Sequence, residues 1–263
     1  MSVSKLLALG LSLILAVTVW AAPKTLRVGV NPGPHEEIME IVRDVLKKKD
    51  IKLEIVSFAD FVTPNLALAD GSIDANSFQH EPYLKKFCAD RKLDLVKLAP
   101  TIVFPISLYS KKVKSLSELR DKAIIAIPND PTNAGRVLML LENAGLIKLK
   151  PGIGIEATVF DIASNPKKLQ FVELEAAQLP RALPDVDIAA INTTYAVSAG
   201  LDPVKGPIYT ENKDSAYVNI IAIRKNDNNP LFEELIKAYH SKEVADYVTS
   251  KYAGSLVLGF TVE

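Results

Sequence analysis

The sequence predicts an α/β protein of two lobes, each a mixed, mostly parallel sheet flanked by helices. Three observations lead there. Short β-rich runs alternate with segments whose apolar residues recur at helical spacing, the order that builds helix-covered parallel sheets. Strand-to-helix junctions recur at DANSFQHEPY (74–83), PNDPTNAGR (128–136) and INTTYA (191–196). About 240 residues remain beyond the N-terminal apolar segment, a length that suits two lobes of ordinary size.

Residues 1–21 read as a secretory signal peptide. Lys5 gives a weakly basic start, 6–20 is almost unbroken apolar chain, and Val19-Trp20-Ala21 offers small residues at both positions a signal peptidase reads. Cleavage is expected after Ala21 or Ala22. The apolar run is short for a membrane span, which needs ~20 residues; a retained signal anchor is the competing reading. The chain has 31 basic and 31 acidic residues, and losing Lys5 with the leader leaves one net negative charge. Such a balance gives no electrostatic footprint for nucleic acid or an anionic membrane face. Cys88 is the only cysteine, which rules out an intramolecular disulfide and reads as a small buried apolar residue.

The elements follow in order. Leu26, Val28 and Val30 alternate with polar neighbours, a strand over 25–30 that Asn31-Pro32-Gly33-Pro34 breaks. Ile38, Ile41, Val42, Val45 and Leu46 repeat at helical spacing, with Glu36 and Glu37 leading and Lys47 to Lys49 trailing, a charge order that suits the helix dipole. A second strand at 52–58 completes a βαβ unit, and a short helix runs from Pro64 to a stop at Gly71.

DANSFQHEPY reads as strand end, loop and helix start, with the helix reaching about Arg91. Runs at 93–98 and 102–109, split by Pro100, are strand-like, and 123–127 is β-rich. Thr132 is a candidate N-cap for a helix through Asn143, with Gly145 as its stop. Strands at 186–191 and 217–224 follow, and helices at 230–240 and 241–252 close the chain.

DANSFQHEPY, together with FADFVTPN (58–65), PNDPTNAGR, LEAAQLPRAL (174–183) and AINTTYA (190–196), resembles the NlpA/MetQ family over the chain from about Thr25 onward. That family comprises methionine-binding receptors of ABC importers. The resemblance implies the two-lobed periplasmic-binding-protein fold with its ligand cleft between the lobes. It places lobe I at 24–105, lobe II at 106–222 and a return segment of lobe I at 223–263. It also implies methionine (L- or D-) or a short Met-containing peptide as ligand, an ABC importer permease as partner and a receptor that acts as a monomer. NlpA-type receptors usually carry a lipobox cysteine at the end of the leader; VTVWAAPKT here has none. The expectation is therefore a periplasmic or secreted protein without a lipid anchor.

A zwitterionic amino acid needs a cation for its carboxylate, oxygen acceptors for its ammonium and a slot for its side chain. Arg136 suits the carboxylate, because guanidinium pairs bidentately and lies here in the first turns of a helix; a local pair with Asp130 is the plainer reading. Asn192 closes a strand and its side-chain oxygen can accept from an ammonium, while Asn219 sits in an apolar run and either faces the site or alternates outward. The resemblance assigns Arg136, Asn192 and Asn219 to the ligand's backbone. Phe61, Phe78, His80 and Tyr83 form the expected slot, since aromatic rings suit a polarizable thioether; Phe61 and Phe78 would equally serve as core.

No cofactor or metal is expected: His35, His80 and His240 are scattered and no cysteine cluster helps. The sequence contains no G-x-S-x-G elbow and no Walker-type loop, and Pro151 precedes the loose glycine pattern at 152–157 where a strand would be needed. An enzyme using His80 and Tyr83 as an acid–base pair is the alternative to a binding protein. A non-transport receptor on the same fold is the third class.

Overall fold

Leu26, Val28 and Val30 alternate because they line one face of β1 (Lys24–Val30), where all three are fully buried. In the computed structural model, which describes residues 24–212, 217–252 and 254–262, the stripe Ile38, Met39, Val42 and Leu46 of α1 (Pro34–Lys47) packs over that strand. The expected signal peptide at 1–21 and its cleavage site lie outside the described residues. β2 (Ile51–Ser57) runs parallel to β1 along its whole length. Then come α2 (Thr63–Ala69), β3 (Ala75–His80), α3 (Glu81–Arg91) and β4 (Leu95–Val103).

The second half contains β5 (Ile106–Tyr109), β6 (Ile124–Pro128), α4 (Pro131–Asn143), β7 (Lys148–Leu149), β8 (Ile162–Ser164) and β9 (Gln170–Leu174). α5 (Leu179–Ala182), β10 (Ile188–Asn192), α6 (Thr193–Ser198) and β11 (Tyr209–Thr210) follow. The chain ends in β12 (Val218–Arg224), α7 (Leu231–Tyr239), α8 (Lys242–Tyr252) and β13 (Val257–Leu258).

These strands form two main sheets, ordered β13-β4-β12-β3-β1-β2 and β11-β5-β10-β6-β9, beside a small β7-β8 ladder. One core lies between the first sheet and α1, α7 and α8; a second lies between the other sheet and α4. Both sheets are mixed, but the parallel share is smaller than expected. Parallel pairing joins β1 to β2 and β3, and β6 to β9 and β10. The strands by which the chain leaves and re-enters the first sheet, β4 and β12, pair antiparallel with each other, and β12 also runs against β3.

The chain passes from the first sheet to the second between Val103 and Ile106. It returns before Val218, earlier than the expected 223, because all of β12 is hydrogen-bonded between β3 and β4. β4 also continues through Pro100, where the sequence suggested a break. Pro100 lies opposite Ile220 at a register shift in β12, which tolerates the missing N–H.

Two of the three junctions contain no loop. All six residues of β3 are buried and α3 starts directly at Glu81; α6 likewise starts at Thr193, straight after β10. The N-cap of α4 is Asp130 rather than Thr132. Pro131 takes the first helical position, so the cap must precede it, and the Asp130 carboxylate accepts from Asn133 N–H at 2.9 Å. Cys88 is half-buried in α3 against the Leu68 and Leu84 cluster, less enclosed than its sequence context suggested.

Candidate ligand cleft between the lobes

The strand ends meet across the space between the two sheets. A small cavity lies there. Phe61, Phe78, His80, Tyr83 and Asn219 reach it from the first lobe; Arg136 and Asn192 reach it from the second. All seven residues singled out in the sequence therefore line one enclosure. Gln79, Phe104, Asn133 and Thr194 complete its wall. Of these, Asn133 carried a signal that was overlooked: it precedes Arg136 by three positions and so shares its helix face.

The polar side is a relay that starts at the α4 cap. Asn133 Nδ2 donates to both Asp130 carboxylate oxygens, at 3.1 and 3.0 Å, so its Oδ1 is turned the other way. That Oδ1 accepts from Asn192 Nδ2 at 3.1 Å. Asn192 Oδ1 is buried and takes no hydrogen bond from the described residues. On the first lobe Asn219 Nδ2 donates to the Phe78 carbonyl at 3.2 Å, which answers the question of its orientation: it is buried and faces inward.

Arg136 is buried, and its partner is Glu211 rather than Asp130. Its Nε donates to Glu211 Oε1 at 2.9 Å and its Nη2 to Glu211 Oε2 and to the Phe104 carbonyl, so helix α4 is tied to the chain crossing. The Tyr217 ring covers the guanidinium at 4.3 Å. Asp130 is unavailable because its carboxylate caps α4.

The apolar side is a ring cluster. Phe61 stands 5.8 Å from Phe78, 6.2 Å from Tyr83 and 4.7 Å from Tyr195 between centroids, the last contact spanning the two lobes. The strand behind it is stiffened by buried amides: Asn65 Nδ2 donates to Gln79 Oε1 at 2.8 Å, and Gln79 Nε2 donates to Asn65 Oδ1 at 2.7 Å and to Asn76 Oδ1 at 2.9 Å. Further bonds close the lobes on each other. Tyr195 Oη donates to the Ala59 carbonyl at 3.3 Å, Ser198 Oγ to the Pro32 carbonyl at 3.0 Å, and His35 Nε2 lies 3.1 Å from Thr194 Oγ1.

His80 and Tyr83 do not form an acid–base pair. His80 Nδ1 accepts from Tyr83 N–H at 3.1 Å, which leaves the ring proton on Nε2, 3.4 Å from Asn133 Oδ1. Burial, reinforced by the Arg136 charge, lowers the imidazole to about 3, so it is neutral near pH 7. The Tyr83 hydroxyl donates to the Phe61 carbonyl at 2.8 Å, and burial raises its pKa. Glu81 faces away, paired with Lys85 and Lys97 at 2.8 Å each. Among the described residues no group of three or more His, Cys, Asp or Glu is arranged to hold a metal ion.

Two α/β lobes joined by crossing strands, with a polar and aromatic cavity enclosed between them, define the periplasmic-binding-protein fold. The chain belongs to the NlpA lipoprotein family, whose model matches residues 26–260. It is 50% identical over 236 residues to the probable D-methionine-binding lipoprotein MetQ of Vibrio cholerae, covering 89% of this chain and 88% of that protein. It is 48% identical over 242 residues to the D-methionine-binding lipoprotein MetQ of Escherichia coli strain K12, covering 90% of this chain and 89% of that one. The solved structure of a nutrient binding protein from Burkholderia cenocepacia bound to methionine matches with a TM-score of 0.87 at 47% identity, covering 89% of this chain and 100% of that chain.

These names correct the expectation of a protein without a lipid anchor. The matched family is described as NlpA lipoprotein and both relatives are named lipoproteins. The expectation rests only on the lack of a cysteine around Ala21, since the one cysteine is Cys88.

Proposed function

We propose that this protein captures methionine between its lobes and delivers it to an ABC importer. One observation carries the reading: a single cavity gathers a buried guanidinium, the unpartnered Asn192 Oδ1 and a cluster of aromatic rings. Arg136 then holds the ligand carboxylate, Asn192 and Asn219 hold its ammonium, and Phe61, Phe78, His80 and Tyr83 surround the thioether. Neutral His80 and the ring edges suit a side chain that is apolar and polarizable. The names of the relatives and the methionine-bound neighbour support the same ligand. In this reading the lobes, formed by 24–105 with the segment from β12 onward and by the chain between, close on the ligand as rigid bodies.

Calorimetry against L-methionine, D-methionine, Met-containing dipeptides, lysine and glutamate tests the reading. Methionine is expected to bind at micromolar concentration or below. Arg136→Ala should lose ~2–5 kcal/mol of binding, because it leaves a carboxylate enclosed without its partner. Asn192→Ala and Asn219→Ala should each lose ~1.5–3 kcal/mol, as expected for hydrogen bonds to a charged group. Wild-type protein that binds lysine or glutamate but not methionine, or a folded Arg136→Ala that binds as the parent does, would overturn it.

A further inference from the structure

Arg136 stands between two spaces. It lines the inner cavity, and it also lines an outer groove with Met139, Asn143, Tyr209 and Glu211. Glu211 belongs to the groove and is not among the residues that line the cavity. Its position is set by the sheet: the residue follows β11, its N–H donates to the Ile106 carbonyl at 3.1 Å, and the Ile106 N–H donates to its Oε2 at 3.4 Å. From there both carboxylate oxygens take donors from the Nε and Nη2 edge of Arg136. A guanidinium has five N–H donors, and the Glu211 and Phe104 contacts use only those on Nε and Nη2. Arg136 is the one charged side chain that lines the cavity among the described residues, and His80 is neutral there. Without Glu211 the enclosure would carry a full positive charge.

We propose that Glu211 is a positioning residue that sets the charge preference of the cavity: by neutralising Arg136 from outside, it makes the site select a net-neutral zwitterion over a monoanion bearing the same carboxylate. Two physical effects act together. The outer carboxylate weakens the pull of Arg136 on any anion, and through the low-dielectric wall it attracts the ligand's ammonium. It also holds the planar fork in one orientation, which a lone guanidinium would lose to water. The inference rests on the methionine reading above.

The test compares L-methionine with its α-hydroxy acid analogue, which carries a hydroxyl in place of the ammonium and one net negative charge. Both are titrated calorimetrically into wild type, Glu211→Gln and Glu211→Asp. Wild type is expected to prefer methionine by ~100-fold or more, and Glu211→Gln to narrow that preference by ~10-fold or more. The narrowing should come from tighter binding of the hydroxy acid as well as weaker binding of methionine. Glu211→Asp, which keeps the charge, should hold the preference within ~3-fold of wild type. If both ligands weaken by one factor in Glu211→Gln, the pair is structural only and the inference falls. Glu211→Ser is the second neutral variant and is held to the same outcome should Glu211→Gln not fold. A wild type that binds neither ligand removes the methionine reading and this inference with it, a result distinct from an unchanged preference.

Discussion

Asn192, in the wall of the cavity, donates its Nδ2 to Asn133 Oδ1 at 3.1 Å, which leaves its own buried Oδ1 without a donor among the described residues. Asn133 is in turn fixed by the carboxylate that caps its own helix. A capping interaction therefore decides which end of a distant amide is already engaged.

Asn133 should act on methionine through Asn192. Asn133→Ala is expected to cost ~1 kcal/mol of binding, and the Asn133→Ala/Asn192→Ala double variant should bind no worse than Asn192→Ala alone. A double-mutant cycle by calorimetry measures this coupling. Additive losses would show that Asn133 contacts the ligand independently.

Gly33 should govern how far the lobes close. Its φ of +84° suits glycine, and a Cβ there would lie 2.7 Å from Ser198 Oγ on the opposite lobe. Gly33→Ala is expected to cost ~1–3 kcal/mol in backbone strain and to hold the lobes apart. Methionine affinity should fall, and the radius of gyration of the methionine-saturated protein should rise. Adding Ser198→Ala removes the opposing oxygen and should recover part of the affinity. Unchanged affinity in Gly33→Ala would mean that closure does not depend on this contact.

Stability should fall on mild acidification. Burial lowers His35 to about 3, and burial with the nearby Arg136 charge lowers His80 to about 3, against an ordinary 6.5. The unfolded chain takes up these protons first, so the stabilising contribution is complete above pH 6.5 and is lost as pH falls toward 3. Each histidine contributes a slope of up to ~1.4 kcal/mol per pH unit in that window. Denaturant unfolding between pH 7 and 5, above the range where ordinary carboxylates titrate (~4), reads the histidine term. His35→Gln should reduce the slope by about half. A wild-type stability that is flat over this range would contradict the prediction.

Most of the fold was legible. The period-two run of β1, the helical stripe of α1 and the stop signal of α4 at Gly145 appear in the sequence because each depends on residues a few positions apart; the cap expected at Thr132 lies two positions earlier, at Asp130. The candidate site was legible mainly through motif resemblance. Phe78, Asn192 and Arg136 by themselves suited core, strand end and surface equally well, and spacing said nothing about their meeting. β11 and β13 were missed, being two-residue strands whose pairing comes from a neighbour already in place; β9 was missed because its half-exposed residues carry no continuous apolar run. The loop expected in DANSFQHEPY is absent, because β3 runs on to His80 and α3 starts at Glu81. Asn76 and Gln79 are in fact buried, their amides bonded to Asn65.

By itself, then, the sequence determined the α/β order, the two-lobed plan and the set of residue types that a zwitterion with an apolar side chain requires. Only the tertiary structure decided which groups those residues pair with. Asp130, six positions from Arg136, looked like its partner, yet that carboxylate is consumed by the N-terminal donors of α4. Glu211, 75 positions away in the chain, takes its place because the β11–β5 pairing brings it to the crossing strand where Arg136 ends. Helix caps are local and can be read along the chain. A buried charge is neutralised by whatever the folded sheet delivers to it, and sequence distance carries no information about that.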